Sequence, residues 1–442
     1  MKNTVELPWG GKTLRVRLPE TWKLLGQLQP NSHPPLDRVE QALATALADP
    51  INAAPLSDHK LSGKNVVIVV DDHSRPTPTS DFLPAVLEHL FLAGAETGRI
   101  KILLANGVHR ESRIEEVEAK LGADALSQFS WRCHNAHQQE ELADIGTTAR
   151  GTRVFINRLL VQADLIVCVG AIEPHLLLGF GGGLKMIVPG CAGSETIGKN
   201  HLQGIDPDHF DFVGADSEDS PMRLDLEEAA GLLNKDIFIV NAAMNEEARP
   251  TRFFCGDAVA AHRAGVDFIQ ELVGIAVPEQ ADVVLANSFP MDADLRQSIK
   301  CVGNSLYASK PGGVMMGLVR CDNGLGEIPI PKKTLPYPLL RTLVKVMGKE
   351  RILPFVRAVK KNEPVEEVFI GHFGLQMLRR NHLALFSESL PADTGAKMGM
   401  ARTFNDLEAM IAWAKGKAPR NATVWTFPYG GASYAYLEES SD

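Results

Sequence analysis

One histidine, four glycines and one lysine crowd into the eleven residues from His175 to Lys185, in the stretch Pro174-His-Leu-Leu-Leu-Gly-Phe-Gly-Gly-Gly-Leu-Lys185. The apolar run Leu165–Val169 leads into it. A buried strand emptying into such a loop is how a parallel sheet commonly presents chemistry, because glycines such as Gly182 and Gly183 let backbone N–H groups approach an anion closely. Lys185 could pair with a phosphate or attack an electrophilic carbonyl or carboxyl derivative, and His175 could move a proton near neutral pH. Leu184 separates the last glycine from the lysine and no Ser or Thr follows, so the loop is neither a Walker A motif nor GxGxxG. The plainer alternatives are a tight packing turn for the glycines and a satisfied buried imidazole for His175.

Three more polar loops also follow apolar runs, which is where ligands bind in open α/β sheets. Asp71-Asp72-His-Ser-Arg75-Pro-Thr-Pro78 follows Val66–Val70. Two carboxylates, a guanidinium and two hydroxyls between rigid prolines suit a ribose, a phosphate or a carboxylate. A solvated turn with a helix cap at Ser80 fits the same residues. Asn106-Gly-Val-His109-Arg110 follows Ile102–Ala105, and its Asn-Gly turn would hold His109 at the sheet edge. Ser288 to Lys300 follows Val283–Ala286 and places Arg296, Gln297 and Lys300 on one or adjacent helix turns, as a carboxylate clamp or as a solvated amphipathic face. His201, at the end of Ser194–His201, reads on spacing as a helix-end residue. His134 and His137 have a metal-compatible spacing but lack a third ligand, and their polar surroundings predict exposure. Asp206–His209 reads as a turn.

The elements that must position these loops alternate. Strands are expected at Asn65–Val70, Arg99–Ala105, Asp164–Val169, Ile237–Asn241, Asp282–Ala286, Gly313–Leu318, His382–Phe386 and Thr423–Phe427, with helices between them. This order predicts an α/β fold of two domains with largely parallel, helix-covered sheets and an active-site cleft between them. The join is placed in Gly274–Gln280, giving domains 1–275 and 276–442. The first thirty residues read as an antiparallel lead-in, and the Ser/Glu-rich stretch after Leu437 reads as frayed.

With 442 residues, 45% hydrophobic and 22% charged, the composition suits an ordinary globular enzyme. A net charge of -9 argues against nucleic acid or an anionic membrane as partner, while leaving small anionic substrates and a homo-oligomer open. Six cysteines without a CxxC pair read as reduced thiols, and the N-terminus has no apolar leader, so a cytoplasmic location is expected.

Taken in order, the loops resemble the lactate racemase family over roughly residues 60 to 325. Each motif alone is weak; the ordered set of Asp71–Pro78, Asn106–Arg110, Pro174–Gly190, Asn200-His201 and Arg296–Lys300 is highly specific. The resemblance implies a 2-hydroxy acid racemase or epimerase that uses a nickel-pincer nucleotide, a nicotinate-derived group whose nickel is held by cofactor carbon and sulfur and one protein imidazole. It assigns His201 as nickel ligand, Lys185 as the lysine able to form a thioamide link, and Asp72 as a cofactor contact. His109 and His175 match paired acid/base histidines, and Arg75, Gln297 and Lys300 match substrate contacts. It also implies cofactor-biosynthesis proteins as maturation partners. Such a reaction takes a proton from the hydroxyl and a hydride from carbon, then returns the hydride to the opposite face. Arg296 stands where the lactate enzymes carry an uncharged aromatic side chain, and Gly181 where serine is usual. Arg296 favours a longer or more polar acid, malate-like or aldonate-like. Competing readings are a nicotinamide-dependent oxidoreductase and a non-catalytic nucleotide-binding protein; the missing GxGxxG counts against the former.

Overall fold

The computed structural model describes residues 3–205, 212–326, 328, 330, 334–361, 363 and 365–437. The turn expected at Asp206–His209 and the stretch after Leu437 lie outside them. The chain clusters into two compact units: Ser32–Gly204 with Ala215–Leu272, and Met1–Asn31 with Ile205–Gly214 and Val273–Asp442.

The first unit is built on a six-stranded sheet in the order Pro250–Asp257, Asp236–Met244, Leu165–Ile172, Val66–Asp71, Ile100–Ala105, Ser130–Cys133. All neighbours are parallel except the outer pair Asp236–Met244 and Pro250–Asp257. Every residue of Val66–Asp71 is buried, which is why this strand reads as a continuous apolar run rather than an alternation. Its even-numbered residues Val66, Ile68 and Val70 join the core with Phe82, Leu83, Val86 and Leu90 of the helix Thr79–Leu92. In chain order the strands stand 6-5-4-1-2-3 across the sheet, so connections leave in opposite directions from Val66–Asp71 and Leu165–Ile172. A crevice opens at the carboxyl ends of two such strands, and this topology places it between Asp71 and Ile172.

The second unit has a six-stranded sheet in which every pair is parallel: Arg402–Phe404, His382–Phe386, Ser309–Leu318, Ala281–Asn287, Thr423–Phe427, Lys23–Gln27. The chain connections run outward in opposite senses from Ala281–Asn287 and Thr423–Phe427. The hairpin Thr4–Trp9 with Lys12–Arg17 matches the expected antiparallel lead-in, and Val5, Leu7 and Trp9 pack on this sheet's core. Lys23–Gln27 then runs beside Thr423–Phe427, so the N-terminal segment completes the second sheet. Three helices, Tyr337–Met347, Lys349–Val359 and Val365–Arg380, share a separate apolar cluster around Val344, Ile352 and Leu378.

Two local expectations are corrected. Gly274–Val277, within the expected linker, is a strand paired in parallel with Tyr434–Leu437. His134, expected at the surface, is fully buried: Nε2 lies 2.9 Å from the Ala192 carbonyl and Nδ1 3.1 Å from Asn157 Nδ2. Burial lowers its pKa to about 4, so it is a neutral, satisfied core imidazole. His137 is exposed as expected. Among the described residues no helix is long and apolar enough to cross a membrane.

Candidate active site

The loop after Val66–Asp71 turns its charges into the protein. Asp71 is buried; its Oδ1 lies 2.7 Å from Lys120 Nζ and its Oδ2 accepts from Thr77 Oγ1 at 2.5 Å. Lys120 also donates to the carbonyls of Arg75 and Thr77, at 3.0 and 3.1 Å. Burial pushes the Asp71 carboxyl up, and Lys120 pulls it part of the way back. The loop is therefore clamped, and the solvated-turn alternative falls. The helix begins at Thr79 after Pro78, with Ser80 inside it rather than capping it.

Asp72, 3% exposed, accepts from His109 Nδ1 at 2.6 Å, from Ser74 Oγ at 2.6 Å and from Ser74 N at 3.1 Å. Burial opposes its charge most strongly, yet the His109 bond and charge, with Arg75 and Ser74, hold the carboxyl well below the usual range. An ionised Asp72 fixes the proton of His109 on Nδ1 and leaves the basic lone pair on Nε2. The turn that delivers His109 is tied down by Asn106 Nδ2, which donates to the Arg110 carbonyl at 2.9 Å. Arg75 is bonded through Nη1 to Glu173, the residue following Ile172. The crevice thus carries one charge network drawn from both flanking strands.

The glycine loop is shaped by the protein against which it packs. Gly182 has φ +81°, and a Cβ there would lie 2.8 Å from the Ala171 carbonyl oxygen. At Gly183, φ is +58°, and a Cβ would meet His262 Cδ2 at 2.8 Å. The Gly183 amide donates to Asn241 Oδ1 at 2.8 Å. Arg223, fully buried, donates to the Phe180 carbonyl at 2.6 Å, and His262 Nε2 lies 2.8 Å from the Gly181 carbonyl. Burial, then the Arg223 charge, pushes His262 well below its ordinary pKa, so it acts as a neutral strut. The packing role of the glycines is thereby observed. It also fixes the short helix Gly183–Met186, which presents half-buried Lys185.

His175 sits in the two-residue pairing of Pro174–His175 with Gly179–Phe180. Its Nδ1 accepts from the Leu177 amide at 3.2 Å, so in the neutral ring the proton resides on Nε2. The hydrogen bonds thus assign opposite tautomers to His109 and His175. His201 ends the helix Ser194–His201, and its Nδ1 lies 2.9 Å from the Ile197 carbonyl. That bond places the proton on Nδ1 and the lone pair on Nε2, the form in which histidine binds a metal with its second nitrogen oriented by a carbonyl. Among the described residues no group of three or more His, Cys, Asp or Glu could hold a metal ion.

In the second unit the residues expected to form a clamp follow Ala281–Asn287, where the order of connections across that sheet reverses. Asp294 caps the turn Leu295–Ser298 by accepting from the Gln297 amide at 2.9 Å, and Lys300–Asn304 follows as a second short helix. Arg320 anchors the loop through two bonds of 3.0 Å to Asp292. Arg296 and Lys300 are half-buried, whereas Gln297 is buried and its Oε1 has no hydrogen-bond partner among the described residues. An acceptor left so costs free energy that a ligand donor relieves.

Lys120, Glu173, Asn241, Arg223, His262 and Asp292 were not singled out in the sequence. Glu173 was the most accessible of these, since it adjoins Pro174-His175 at a strand end. The loop after Phe427 was also passed over, although a Cβ at Gly431 would approach the Ser288 carbonyl oxygen to 2.1 Å.

Residues 9–210 match the family described as lactate racemase N-terminal domain. The chain is 32% identical over 326 residues, 73% of its length and 75% of the relative's, to a lactate racemase of Thermoanaerobacterium thermosaccharolyticum. It is 29% identical over 427 residues, covering 95% and 97% of the two chains, to a lactate racemase of Lactiplantibacillus plantarum. The solved lactate racemase apoprotein of T. thermosaccharolyticum superposes with a TM-score of 0.83 at 26% identity, covering 98% of this chain and all of that one. A protein from Thermotoga maritima shares the fold, with a TM-score of 0.64 at 19% identity and 92% of this chain covered.

Proposed function

The chain belongs to the lactate racemase family, and from that premise we propose that it is an isomerase that inverts C2 of a 2-hydroxy acid using a nickel-pincer nucleotide. The observation that carries the proposal is a pair of imidazoles held in opposite tautomers. His109, backed by Asp72, offers a basic Nε2, while His175, accepting the Leu177 amide on Nδ1, offers an Nε2 proton. One can take the hydroxyl proton while the other is poised to return one, and the roles exchange with the direction of reaction. Arg75 gives the substrate carboxylate a fixed guanidinium, and we assign Arg296, Gln297 and Lys300 to substrate as well.

The residues present fit the cofactor. His201 has the donor form a nickel ion needs, and Lys185 stands on the glycine turn beside which a nucleotide would bind. We assign Asp72 as a further contact to the cofactor, while Gly182 and Gly183 give that turn its shape. When bound, the group supplies the hydride acceptor that no side chain can provide. His201→Ala is expected to lower bound nickel in the purified holoprotein, read by metal analysis, while leaving the fold intact. Lys185→Ala is expected to remove a cofactor adduct from the intact mass. Maturation requires the proteins that build the cofactor, so chain made without them is expected to be inactive.

The functional test starts from one enantiomer of lactate, malate or gluconate in heavy water, following optical rotation with and without added NAD. Inversion independent of NAD, with the original hydrogen kept at C2, is the expected result. Deuterium entering C2 from solvent would exclude hydride return, and dependence on NAD would favour the oxidoreductase. Absence of turnover in nickel-loaded protein would favour a binding protein.

Arg296 sets the expected substrate range. Its half-buried guanidinium carries several N–H donors, and a more polar acid brings more acceptors to them than lactate does. Malate-like or aldonate-like acids are expected to show higher kcat/KM than lactate, with Arg296→Tyr narrowing or reversing the difference. A ranking unchanged in the variant removes Arg296 from substrate selection.

A further inference from the structure

Arg75 is the most completely countered cation of the crevice. Glu173 holds its Nη1, Asp72 precedes it by three residues, and Asp71 opens the loop. Lys120 brings no charge to spare, because it is bound to Asp71 and to two backbone carbonyls. Asp71, Asp72 and Glu173 therefore stand against Arg75 and Lys120, and His109 is the further charge, present when protonated. Glu173 itself is placed firmly: its carbonyl accepts from the Gly181 amide at 2.7 Å, and its side chain is 22% exposed.

We propose that Glu173 aims and partly neutralises Arg75, and so makes the enzyme select a 2-hydroxy acid with one carboxylate and further hydroxyls over a dicarboxylate. This rests on the reading of Arg75 as the carboxylate contact. A substrate carboxylate bound to Arg75 comes within a few ångströms of Glu173 and is repelled by it; a second carboxylate on the same small molecule adds a second repulsion in a partly water-excluded site. Hydroxyls meet no such penalty, and Glu173 and Asp72 are acceptors for them. Of the two polar classes that Arg296 favours, the network at Arg75 points to the aldonate-like one. Burial works most strongly against the Arg75 charge, and Glu173, then Asp72 and Asp71, more than offset it, in keeping with an arginine already supplied with counter-charge.

The test measures kcat and KM of nickel-loaded wild type, Glu173→Gln and Glu173→Asp on lactate, gluconate and malate. Wild type is expected to prefer gluconate to malate. Glu173→Gln keeps an acceptor for Arg75 but loses the charge, so the ratio of KM for malate to KM for gluconate is expected to fall about tenfold. Glu173→Asp keeps the charge and is expected to retain the wild-type ranking. Gly181→Ser gives an independent perturbation: a Cβ there lies 3.4 Å from Glu173 Cγ and 3.8 Å from Oε1, so its hydroxyl competes with Arg75 for Glu173 and shifts the ranking the same way. Equal rises in KM for all three acids in Glu173→Gln would mean a structural role only and overturn the proposal. So would an unchanged gluconate-to-malate ratio, or malate preferred by wild type. Wild type that inverts none of the three overturns the functional reading itself, a separate outcome.

Discussion

Replacing His109 or His175 with alanine is expected to lower racemisation by about 10²- to 10⁴-fold in kcat/KM, the range of a positioned general acid or base. The two losses should have the same order in both reaction directions, because each imidazole is base one way and acid the other. They should not add when combined, since with one proton partner gone the other has little left to do. Asp72→Asn is the finer probe. It preserves shape but offers His109 an amide in place of a carboxylate, removing the charge that fixes the proton on Nδ1. Its loss should fall on kcat and carry a pH signature, with the acid limb of kcat moving downward as His109 becomes less basic. Nickel content and near-ultraviolet dichroism like those of wild type separate lost chemistry from lost structure. Near-wild-type inversion by either alanine variant removes that histidine from the mechanism.

The loops at Asp71 and Glu173 were legible because each follows a strand buried on both faces, and such strands announce themselves as unbroken runs, as Val66–Val70 and Leu165–Val169 do. What those runs do not encode is their order in the sheet. That loops 71–78 and 173–185 share one crevice depends on Val66–Asp71 pairing with Leu165–Ile172 across about a hundred residues, a choice made by packing rather than local pattern. Lys23–Gln27 is the extreme case: its partner Thr423–Phe427 lies at the other end of the chain. The polar residues that were missed share another trait. Lys120 sits on a short helix with Glu115, Glu116 and Glu118, where a lysine reads as a solvated charge, and His262 lies in a long amphipathic helix where it reads as one polar position among several. Their meaning comes from Asp71 and the glycine carbonyls that fold against them. The exposure expected for His134 erred for the same reason: its neighbours are polar in sequence, while the surfaces facing it, Ala192 and Asn157, come from elsewhere.

The second large effect concerns stability. Lys120→Met is expected to destabilise the apoprotein by about 3–5 kcal/mol, because it leaves the buried Asp71 carboxylate and two loop carbonyls without their shared donor. Methionine retains the buried stem, so the loss isolates the ammonium rather than packing. Asp71→Asn in the same chain should recover a substantial part, since an unpaired buried amide costs less than an unpaired buried charge. The pH dependence gives the sign. Burial already raises the Asp71 pKa above 3.8 with Lys120 present, and removing Lys120 raises it further. A carboxyl whose folded pKa exceeds its unfolded one contributes fully below the unfolded value, and that contribution is lost as pH rises through the folded value. The deficit of Lys120→Met relative to wild type should therefore be smallest near pH 4 and grow toward pH 8, read from urea titrations at each pH. A deficit independent of pH would show that Asp71 is not the group left unpaired. A variant as stable as wild type would show that the Asp71–Lys120 pair does not hold the loop on which Asp72 and Arg75 are carried.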